Sequence, residues 1–380
     1  MKRKKLFFVA TVPGFFNFFR GQLSALKSLG NVTLVASPNG GLQEIAKDEE
    51  VAFHEILIAR QIAILKDICA LWKMFWLFVR EKPAMVHGNT PKGALLSMLA
   101  AFVARVPVRV FMCHGLCHST AHGLKRFILS SMERVTCLLS TNTIAVSYGL
   151  KKELIVSKFC SPEKVSVILN GCVSGIDIQR FSPGDKTLAK SDLNCGGTFV
   201  FGFVGRIVRD KGVEELVSAF SRLLKDCPDI RLLLVGKIEK ANAVSEKILH
   251  TIEQTPQIIH VGFRKDLPKF YRAMDCFVFP SYREGFGMVV AEAGATSVPC
   301  IVSDINGCNE IIREGENGMI IPPRDAEALY TAMKHFYENR EILVPALAAR
   351  SRELIASRYE QGAVWDASLA MYRNLTEQQA

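Results

Sequence analysis

Short apolar runs alternate with amphipathic segments along most of the chain. The runs are rich in Val, Ile, Leu and Phe, as in KLFFVAT, NVTLVAS and IRLLLVG. Apolar residues at helical spacing follow them, as in FRGQLSALKSLG and GVEELVSAFSRLLKDC. The first pattern is typical of buried strands and the second of helices that pack on a sheet. Their alternation predicts βαβ units around parallel sheets, which is an α/β fold.

One polar segment interrupts this alternation. The stretch SGIDIQRFSPGDKTLAKSDLNCGG is rich in Gly and Pro, which favours a linker, and a second series of strand and helix patterns begins directly after it. A chain of 380 residues is also long enough for two domains of about 100–200 residues each. We therefore predict two doubly wound domains, at residues 1–192 and 193–360. Ligands of such folds bind beyond the carboxyl ends of the strands, so the chemistry is expected in those loops.

Composition narrows the class of protein. Hydrophobic residues make up 49% of the chain and charged residues 22%, as in globular proteins. Eleven cysteines without a CxxC pair indicate a reduced, cytosolic protein. The apolar run Leu6 to Ala10 is too short for the core of a signal peptide, so we interpret it as the first strand. The longest apolar stretch is interrupted by Arg105, Pro107 and Arg109, which argues against a transmembrane helix.

The positive charge is confined to the first half of the chain. Residues 1–195 carry 25 Lys and Arg against 13 Asp and Glu, whereas residues 196–380 carry 22 against 24. The first half is therefore expected to face an anionic partner. Nucleic acid is not favoured, because no signature of interleaved basic and aromatic residues is present. An anionic membrane surface is the better candidate.

Two cations occupy a strand-to-helix turn in the second half. In FVFGFVGRIVRDKGVEELVSAF, the strand ends at Gly205, the loop carries Arg206 and Lys211, and a helix is expected from Gly212. Cations beside the free backbone N–H groups of a helix start form an anion site of the kind that diphosphates occupy. Solvated surface charges are the alternative, and for this motif alone they are the better explanation.

Two carboxylates lie in a second turn, within REGFGMVVAEAG. Glu284 ends a loop after the strand CFVFPS, and Glu292 lies about one turn into the helix that begins near Met288. Ionised carboxylates accept hydrogen bonds strongly from O–H donors, so this pair could hold the hydroxyls of a sugar and a ribose. The alternative is structural: Glu284 caps the helix and Glu292 pairs with a lysine from elsewhere.

Together these motifs resemble a known family. The pattern GRxxxxKG at 205–212 and the pattern EGFGxxxxE at 284–292, followed by SVPCIVSDINGCNEII and ENGMIIPP, are similar to the retaining glycosyltransferases of family 4. That family has the GT-B fold, in which two Rossmann-like domains face each other across a cleft. The segments HGNTPKGALLSMLAA, FMCHGLCHSTAHGLKR and VILNGCVSGIDIQRFSP resemble the members that build capsule, O-antigen and exopolysaccharide repeat units.

The resemblance implies a role for each motif residue. Arg206 and Lys211 would hold the donor diphosphate, Glu284 the sugar hydroxyls and Glu292 the ribose. The donor-binding set it implies is Gly14, Gly205, Arg206, Lys211, Glu284, Phe286, Gly287 and Glu292. The catalytic set is His114, Arg206, Lys211 and Glu284. The resemblance further implies a nucleotide-sugar donor, UDP-linked by preference, no metal and no other cofactor. It also implies that residues 361–380 form a helix that crosses back to the first domain.

The segment CHGLCHSTAHG allows a second interpretation. Its histidines and cysteines at four-residue spacing could bind zinc, although the glycines argue against one continuous helix. The resemblance instead places His114 near the transferred sugar, as a contact to its C6 hydroxyl.

The acceptor implied by the resemblance is a saccharide linked to polyprenyl diphosphate, which is held at a membrane. We therefore expect a cytoplasmic protein, peripheral on the inner face of the cell membrane. The aromatic and cationic residues of GFFNFFR and LWKMFWLFVREK are the candidate membrane contacts, with Phe16 and Phe19 preferred and with Trp72, Phe75 and Trp76 equally well explained as buried residues. Lys125 and Arg126 are expected to contact acceptor phosphate or lipid. The alternatives are buried aromatic side chains and plain surface cations. The alternative functions are a non-hydrolysing sugar-nucleotide epimerase and a non-catalytic nucleotide-binding protein of the same fold.

Overall fold

The computed structural model describes residues 3–38, 40–239 and 242–378. Contacts divide the chain into two units. The first unit contains the residues up to 175 together with those from 362 onward, and the second unit contains residues 176–361.

Each unit is built on one parallel sheet. The strands are β1 (Lys5–Val9), β2 (Asn31–Ala36), β3 (Ala52–Glu55), β4 (Met85–Gly88), β5 (Val108–Cys113), β6 (Asn142–Ala145), β7 (Val165–Ser166), β8 (Phe199–Val204), β9 (Ile230–Val235), β10 (Ile258–Gly262), β11 (Cys276–Phe279), β12 (Cys300–Ser303) and β13 (Gly318–Ile321). The sheet of the first unit has the order β3-β2-β1-β4-β5-β6-β7, and that of the second has the order β10-β9-β8-β11-β12-β13. The strand order reverses between β1 and β4 and between β8 and β11. Ligands of doubly wound sheets bind at these reversals.

Helices connect the strands in both units. They are α1 (Gln22–Ala25), α2 (Leu42–Asp48), α3 (Ile64–Glu81), α4 (Pro91–Val103), α5 (Gly123–Leu139), α6 (Tyr148–Val156), α7 (Lys186–Ser191), α8 (Val213–Leu223), α9 (Glu246–Gln254), α10 (Pro268–Ala273), α11 (Met288–Ala295), α12 (Ala326–Glu338), α13 (Arg340–Tyr359) and α14 (Gln361–Glu377). Short 3-10 helices span Pro13–Phe19, Leu26–Ser28, Cys117–Thr120 and Arg209–Lys211. Within the described ranges, every helix falls short of the combined length and apolar content that a bilayer span requires.

The predicted linker is folded in its second half. Asp185 caps α7, and two lysines of that helix bind the buried Asp275: Lys190 Nζ lies 2.5 Å and Lys186 Nζ 3.1 Å from its carboxylate oxygens. Because Asp275 precedes β11, these ion pairs attach the segment to the second unit. The two units therefore divide at 175/176, earlier than the boundary at 192/193 that composition suggested.

The prediction that Phe16 and Phe19 contact a membrane is wrong, because both side chains are buried. They lie in the 3-10 helix Pro13–Phe19, where residues three apart share one face, so the two rings enter the core together. Phe19 packs edge-on against Phe8 and His87. Phe18, on another face of the same turn, is 47% exposed.

The terminal helix α14 packs within the first unit. Tyr372 is buried, and its hydroxyl lies 3.0 Å from Nε2 of His87. Trp365 donates its indole N–H to the carbonyl of Ser174 at 2.8 Å. Its ring covers Gly21, where a Cβ would lie 2.4 Å from the indole.

Candidate active site

The predicted donor-site residues of the second unit lie at and next to its strand-order reversal, whereas Gly14 belongs to the first unit. Gly205 and Arg206 follow β8, and the loop 280–287 follows β11, the parallel neighbour of β8. The carboxyl ends of adjacent parallel strands meet at one edge of a sheet, so motifs about 80 residues apart in sequence become neighbours. The structure therefore brings the two predicted motifs together.

Lys211 and Glu284 form a direct ion pair. Lys211 Nζ contacts Glu284 Oε1, which also accepts a hydrogen bond from the Ser281 hydroxyl at 3.0 Å. Gly212 makes this approach possible: its φ is 69°, and a Cβ at this position would lie 2.0 Å from the carbonyl oxygen of Pro280. Only 17% of the Lys211 side chain and 16% of the Glu284 side chain are exposed. The pair is thus a largely buried feature of the site rather than two solvated charges.

Arg206 is exposed at the same edge, and its guanidinium lies 3.1 Å from a carboxylate oxygen of Glu239. Both predicted phosphate-binding cations are therefore held by carboxylates. A diphosphate, with its higher charge density, could replace these partners by charge-assisted hydrogen bonds. The cluster can in this way change partners without leaving a cation unpaired.

The loop of the EGFG motif is packed closely against its neighbour. Gly307 has a φ of 77°, and a Cβ there would lie 2.5 Å from the carbonyl oxygen of Gly285. The Gly287 N–H is directed at the Gly307 carbonyl over a long 3.4 Å, and the Phe286 ring packs edge-on against Tyr359. The contact with Gly307 already engages the N–H of Gly287, a residue of the predicted donor-binding set.

Glu292 lies in α11, and its side chain is partly buried. Its carboxylate accepts a hydrogen bond from the Tyr271 hydroxyl at 2.8 Å. Burial raises the pKa of Glu292 from its ordinary value of 4.5 to about 7, although the Tyr271 hydrogen bond and the charge of Arg180 act in the opposite direction. The structural alternative, a lysine partner for Glu292, is not what the structure shows.

His114 lies at the carboxyl edge of the first-unit sheet. It follows β5 directly, its Nε2 is 3.2 Å from Asn89 Oδ1, and its ring contacts that of Phe15 with centroids 4.8 Å apart. Gly14, exposed beside Phe15, follows β1 in the same region. Burial lowers the pKa of His114 to about 3, so the imidazole is neutral at physiological pH.

The zinc interpretation finds no support in the geometry. His118 binds Glu133 instead, with 2.6 Å between Nδ1 and Oε2, and the second carboxylate oxygen accepts the Cys117 N–H at 2.5 Å. Across the described ranges, the structure brings together no group of three or more His, Cys, Asp or Glu that could hold a metal ion. Lys125 and Arg126 lie exposed in the first turn of α5.

Sequence reasoning missed two residues that contact the predicted ones. Asn89 follows β4 within VHGNT, and a polar residue at the end of a buried strand is a signal that could have identified it. Tyr271 lies in α10, and nothing in the local sequence indicates that its hydroxyl reaches Glu292.

Comparison with known proteins assigns the family. A model described as "Glycosyl transferases group 1" matches residues 185–353, and one described as "Glycosyltransferase Family 4" matches residues 19–173. The capsular polysaccharide biosynthesis glycosyltransferase CapM of Staphylococcus aureus is 32% identical over 380 residues, which cover 100% of this chain and 99% of CapM. The chain belongs to glycosyltransferase family 4. The resemblance drawn from the motifs is confirmed, and the protein is a glycosyltransferase.

Other relatives agree with this assignment. An Escherichia coli protein named UDP-Gal:alpha-D-GlcNAc-diphosphoundecaprenol alpha-1,3-galactosyltransferase is 27% identical over 331 residues, 85% of this chain and 84% of that protein. Anabaena HepE in complex with UDP has a TM-score of 0.81 at 18% identity, covering 98% of this chain and 100% of HepE. HepE in complex with UDP-glucose also has a TM-score of 0.81, at 19% identity, and the match covers 97% of this chain and 99% of HepE. These structures confirm the predicted GT-B fold.

Proposed function

We propose that this glycosyltransferase transfers a sugar, with retention of anomeric configuration, from a UDP-sugar to a lipid-linked saccharide during the synthesis of a bacterial surface polysaccharide. One observation carries the proposal: the cations Arg206 and Lys211 and the carboxylate of Glu284 lie in the loops that follow the adjacent strands β8 and β11, and Glu292 follows in α11. UDP and the lipid-linked acceptor are supported by the names of the Escherichia coli relative and of the HepE complexes.

The chemistry requires charge stabilisation above all. As the bond from the sugar to the diphosphate breaks, negative charge develops on the leaving phosphate, and Arg206 and Lys211 are positioned to stabilise it. Glu284, released from Lys211, can accept hydrogen bonds from sugar hydroxyls. The acceptor attacks from the face that the phosphate leaves, and the departing phosphate takes the proton of the acceptor hydroxyl. The protein then supplies no general base.

A transfer assay tests this function. We expect the purified protein to move radiolabelled sugar from a UDP-sugar to an undecaprenyl-diphosphate-linked saccharide, in a screen of UDP-glucose, UDP-galactose and their N-acetylamino forms. NMR of the product should show the anomeric configuration of the donor. Inversion would refute the retaining mechanism. Interconversion of UDP-sugars without transfer would favour the epimerase, and UDP binding without turnover of any of these donors the non-catalytic alternative.

Transfer is expected to continue in the presence of EDTA, within about twofold of the untreated rate. Two cations already accompany the proposed diphosphate site, and an electrostatic contribution of this kind does not require a metal ion. The assay compares the same preparation with EDTA, and with EDTA followed by excess Mg²⁺, Mn²⁺ or Zn²⁺. Loss of activity that one of these metals restores would overturn the proposal of metal independence.

The peripheral membrane association that we propose needs a surface other than Phe16 and Phe19. Of the 24 large apolar side chains exposed among the described residues, 13 lie on α3, α4 and α5 of the first unit. α4 packs against both α3 and α5, so the three helices form one layer. We call its outer side the α3–α5 face. Exposed apolar members follow helical spacing: Leu65, Ile68, Trp72, Trp76 and Val79 on α3, and Leu124, Phe127, Val135 and Leu138 on α5.

The charges of this face suit an anionic membrane. All three acidic residues of these helices have partners: Asp67 binds Lys92 at 2.7 Å, Glu81 binds Lys5 at 2.8 Å, and Glu133 binds His118. The exposed charged residues are all basic, and they are Lys66, Lys73, Arg80, Lys125, Arg126 and Arg134. Apolar and aromatic side chains surrounded by cations fit the headgroup region of an anionic bilayer.

Vesicle flotation and tryptophan fluorescence test this surface. Two of the three tryptophans lie on the α3–α5 face, so their emission should shift to the blue with anionic vesicles, and added salt should reverse the effect. Leu65→Ser/Trp72→Ser should weaken binding by at least about tenfold, since each large apolar side chain contributes roughly 1.5–3 kcal/mol when buried. Phe263→Ser/Ile342→Ser, which alters exposed apolar residues of the second unit, is the matched control. Equal loss in both double variants, or equal flotation with anionic and neutral vesicles, would refute the assignment.

A further inference from the structure

A chain of hydrogen bonds connects the terminal helix of the first unit to His114. The Tyr372 hydroxyl lies 3.0 Å from His87 Nε2, His87 Nδ1 lies 3.0 Å from Asn89 Nδ2, and Asn89 Oδ1 lies 3.2 Å from His114 Nε2. His87 and Asn89 are fully buried, and Tyr372 is 1% exposed. A buried polar chain of this kind must satisfy its donors and acceptors internally, so the direction of each bond can be worked out.

The backbone fixes the orientation of the Asn89 amide. Its Nδ2 lies 3.3 Å from the Val9 carbonyl oxygen and 3.4 Å from the His87 carbonyl oxygen. If the amide were flipped, Oδ1 would lie this close to both carbonyl oxygens with no proton between it and either of them, whereas the Val9 oxygen would keep only the Asn89 N–H that it accepts at 2.8 Å. Nδ2 therefore faces His87, and Oδ1 faces His114. Because Oδ1 can only accept, the proton between Asn89 and His114 must be on His114 Nε2.

His87 continues the same direction of donation. Burial lowers its pKa to about 3, so the ring is neutral and carries a single N–H. Nδ1 accepts from Asn89, which leaves the proton on Nε2, where it is donated to the Tyr372 oxygen. Every donor in the chain thus points away from His114, an arrangement in which the bonds strengthen one another.

The backbone beside Asn89 is strained and held in place. Thr90 has a φ of 61° and a ψ of 148°, a conformation that a β-branched residue rarely adopts. Its hydroxyl accepts the Thr11 N–H at 2.9 Å and lies 2.8 Å from the Thr11 hydroxyl, which accepts the Gly93 N–H at 3.0 Å. Strain that surrounding bonds maintain is concentrated at functional sites. Here it is located at the strand-order reversal between β1 and β4.

We propose that Asn89 is a positioning residue that holds His114 in the tautomer with its proton on Nε2, so that His114 Nδ1 accepts a hydrogen bond from a hydroxyl of the sugar substrate. This inference rests on the proposed function. It excludes His114 as a general acid, because the single proton of the neutral ring is on Nε2, bonded to Asn89, and Nδ1 has no proton to donate. It also gives Tyr372 and His87 a role in setting the chemistry of the first-unit site from the terminal helix.

Histidine ¹⁵N NMR of the wild-type protein tests the tautomer directly. The resonances of His114 are identified as those missing from the His114→Gln spectrum. We expect the pattern of a neutral ring protonated at Nε2, unchanged between pH 6 and 8. A ring protonated at Nδ1, or one that gains charge in this range, would overturn the proposal without the need for any variant at Asn89.

Asn89→Asp tests the consequence for transfer. A carboxylate beside the Nε2 proton favours the imidazolium form of His114, in which Nδ1 is protonated and cannot accept. In this variant, transfer at pH 6.5 should fall at least about tenfold and recover as pH rises. The wild-type rate should not show this loss, because His114 stays neutral there between pH 6 and 8. UDP affinity should stay within about twofold. A loss that is equal at every pH would indicate a purely structural role and refute the inference.

Two further measurements separate this inference from the proposed function. Tyr372→Phe removes the last acceptor of the chain while keeping the ring, and it should lower kcat/KM at pH 7 by about threefold to tenfold with unchanged UDP affinity. An unchanged kcat/KM would remove Tyr372 from the chain. If the wild-type protein shows the Nε2 tautomer but transfers no sugar, the proposed function fails; if it transfers sugar with the other tautomer, only the present inference fails.

Discussion

Lys211→Ala is expected to lower the rate of sugar transfer by at least about a hundredfold. The lysine is the less exposed of the two cations at the proposed diphosphate site, with 17% of its side chain accessible against 56% for Arg206. Removal of one preorganised contact to a developing anion costs roughly 2.7–4 kcal/mol in the transition state. Initial rates at saturating UDP-sugar, together with UDP affinity from calorimetry, measure the effect.

The control lies in the same turn. Arg209→Ala also removes one positive charge, but Arg209 is 55% exposed and faces Glu214 at 3.7 Å, so transfer should change by less than about threefold. Stability must be followed in parallel, because Lys211→Ala leaves Glu284 with the Ser281 hydroxyl as its side-chain partner, and a largely buried polar group that loses a partner costs about 1–3 kcal/mol. Equal rates in the two variants, at a temperature where both are folded, would remove Lys211 from the phosphate site.

The fold and the positions of the donor motifs could be predicted from the sequence for a physical reason. Parallel strands buried on both faces must be apolar throughout, and their crossover helices must be amphipathic, so both patterns are visible locally. The motif GRxxxxKG and the motif EGFGxxxxE each follow such a strand, where the ends of β8 and β11 meet. Any loop residue at those two strand ends is a candidate, and its chemistry then selects Arg206, Lys211 and Glu284, with Glu292 following in α11.

Local patterns could not decide which aromatic residues face the solvent. Phe16 and Phe19 are adjacent to exposed residues in sequence, but the 3-10 geometry turns both rings inward, whereas Trp72 and Trp76 on α3 are 63% and 51% exposed. The amphipathic pattern of α3 predicts one buried side and one polar side. In the structure, however, the outer side of this helix carries exposed apolar residues. The prediction of a membrane surface depended on this distinction, which only the packing of the first unit provides.

Polar contacts between residues far apart in the chain also could not be predicted from the sequence. Tyr372 reaches His87 across most of the chain length, and Tyr271 reaches Glu292 from a neighbouring helix. Neither tyrosine has a sequence signature, because each contributes one hydroxyl to a site built mainly by other elements. The same holds for Lys186 and Lys190, whose binding to Asp275 turns the predicted linker into part of the second unit.

The affinity for a UDP-sugar is expected to fall as the pH is lowered, by up to about a hundredfold between pH 7 and pH 5. Burial raises the pKa of Glu292 to about 7, and the proposed ribose contact uses the ionised carboxylate as acceptor. Below pH 7 the Glu292 carboxyl group must lose its proton before it can bind the ribose in this form. This reduces the binding free energy by about 1.4 kcal/mol per pH unit. UDP-glucose is the suitable ligand, because its diphosphate is a diester that stays ionised over this range.

Glu292→Gln distinguishes Glu292 from other titrating groups. The variant should bind UDP-glucose about tenfold more weakly at pH 8, since it loses a charged acceptor, and its affinity should be independent of pH between 5 and 8.

The melting temperature of Glu292→Gln should exceed that of the wild type at pH 8 but not at pH 4. A carboxyl group whose pKa is raised on folding reduces stability as pH rises from its ordinary value of 4.5 to about 7, and the amide lacks this penalty. Glu284→Gln should retain the pH dependence, because Glu292 still titrates in that variant. A wild-type affinity that is the same at pH 5 and pH 8 would refute the assignment of Glu292 to the ribose.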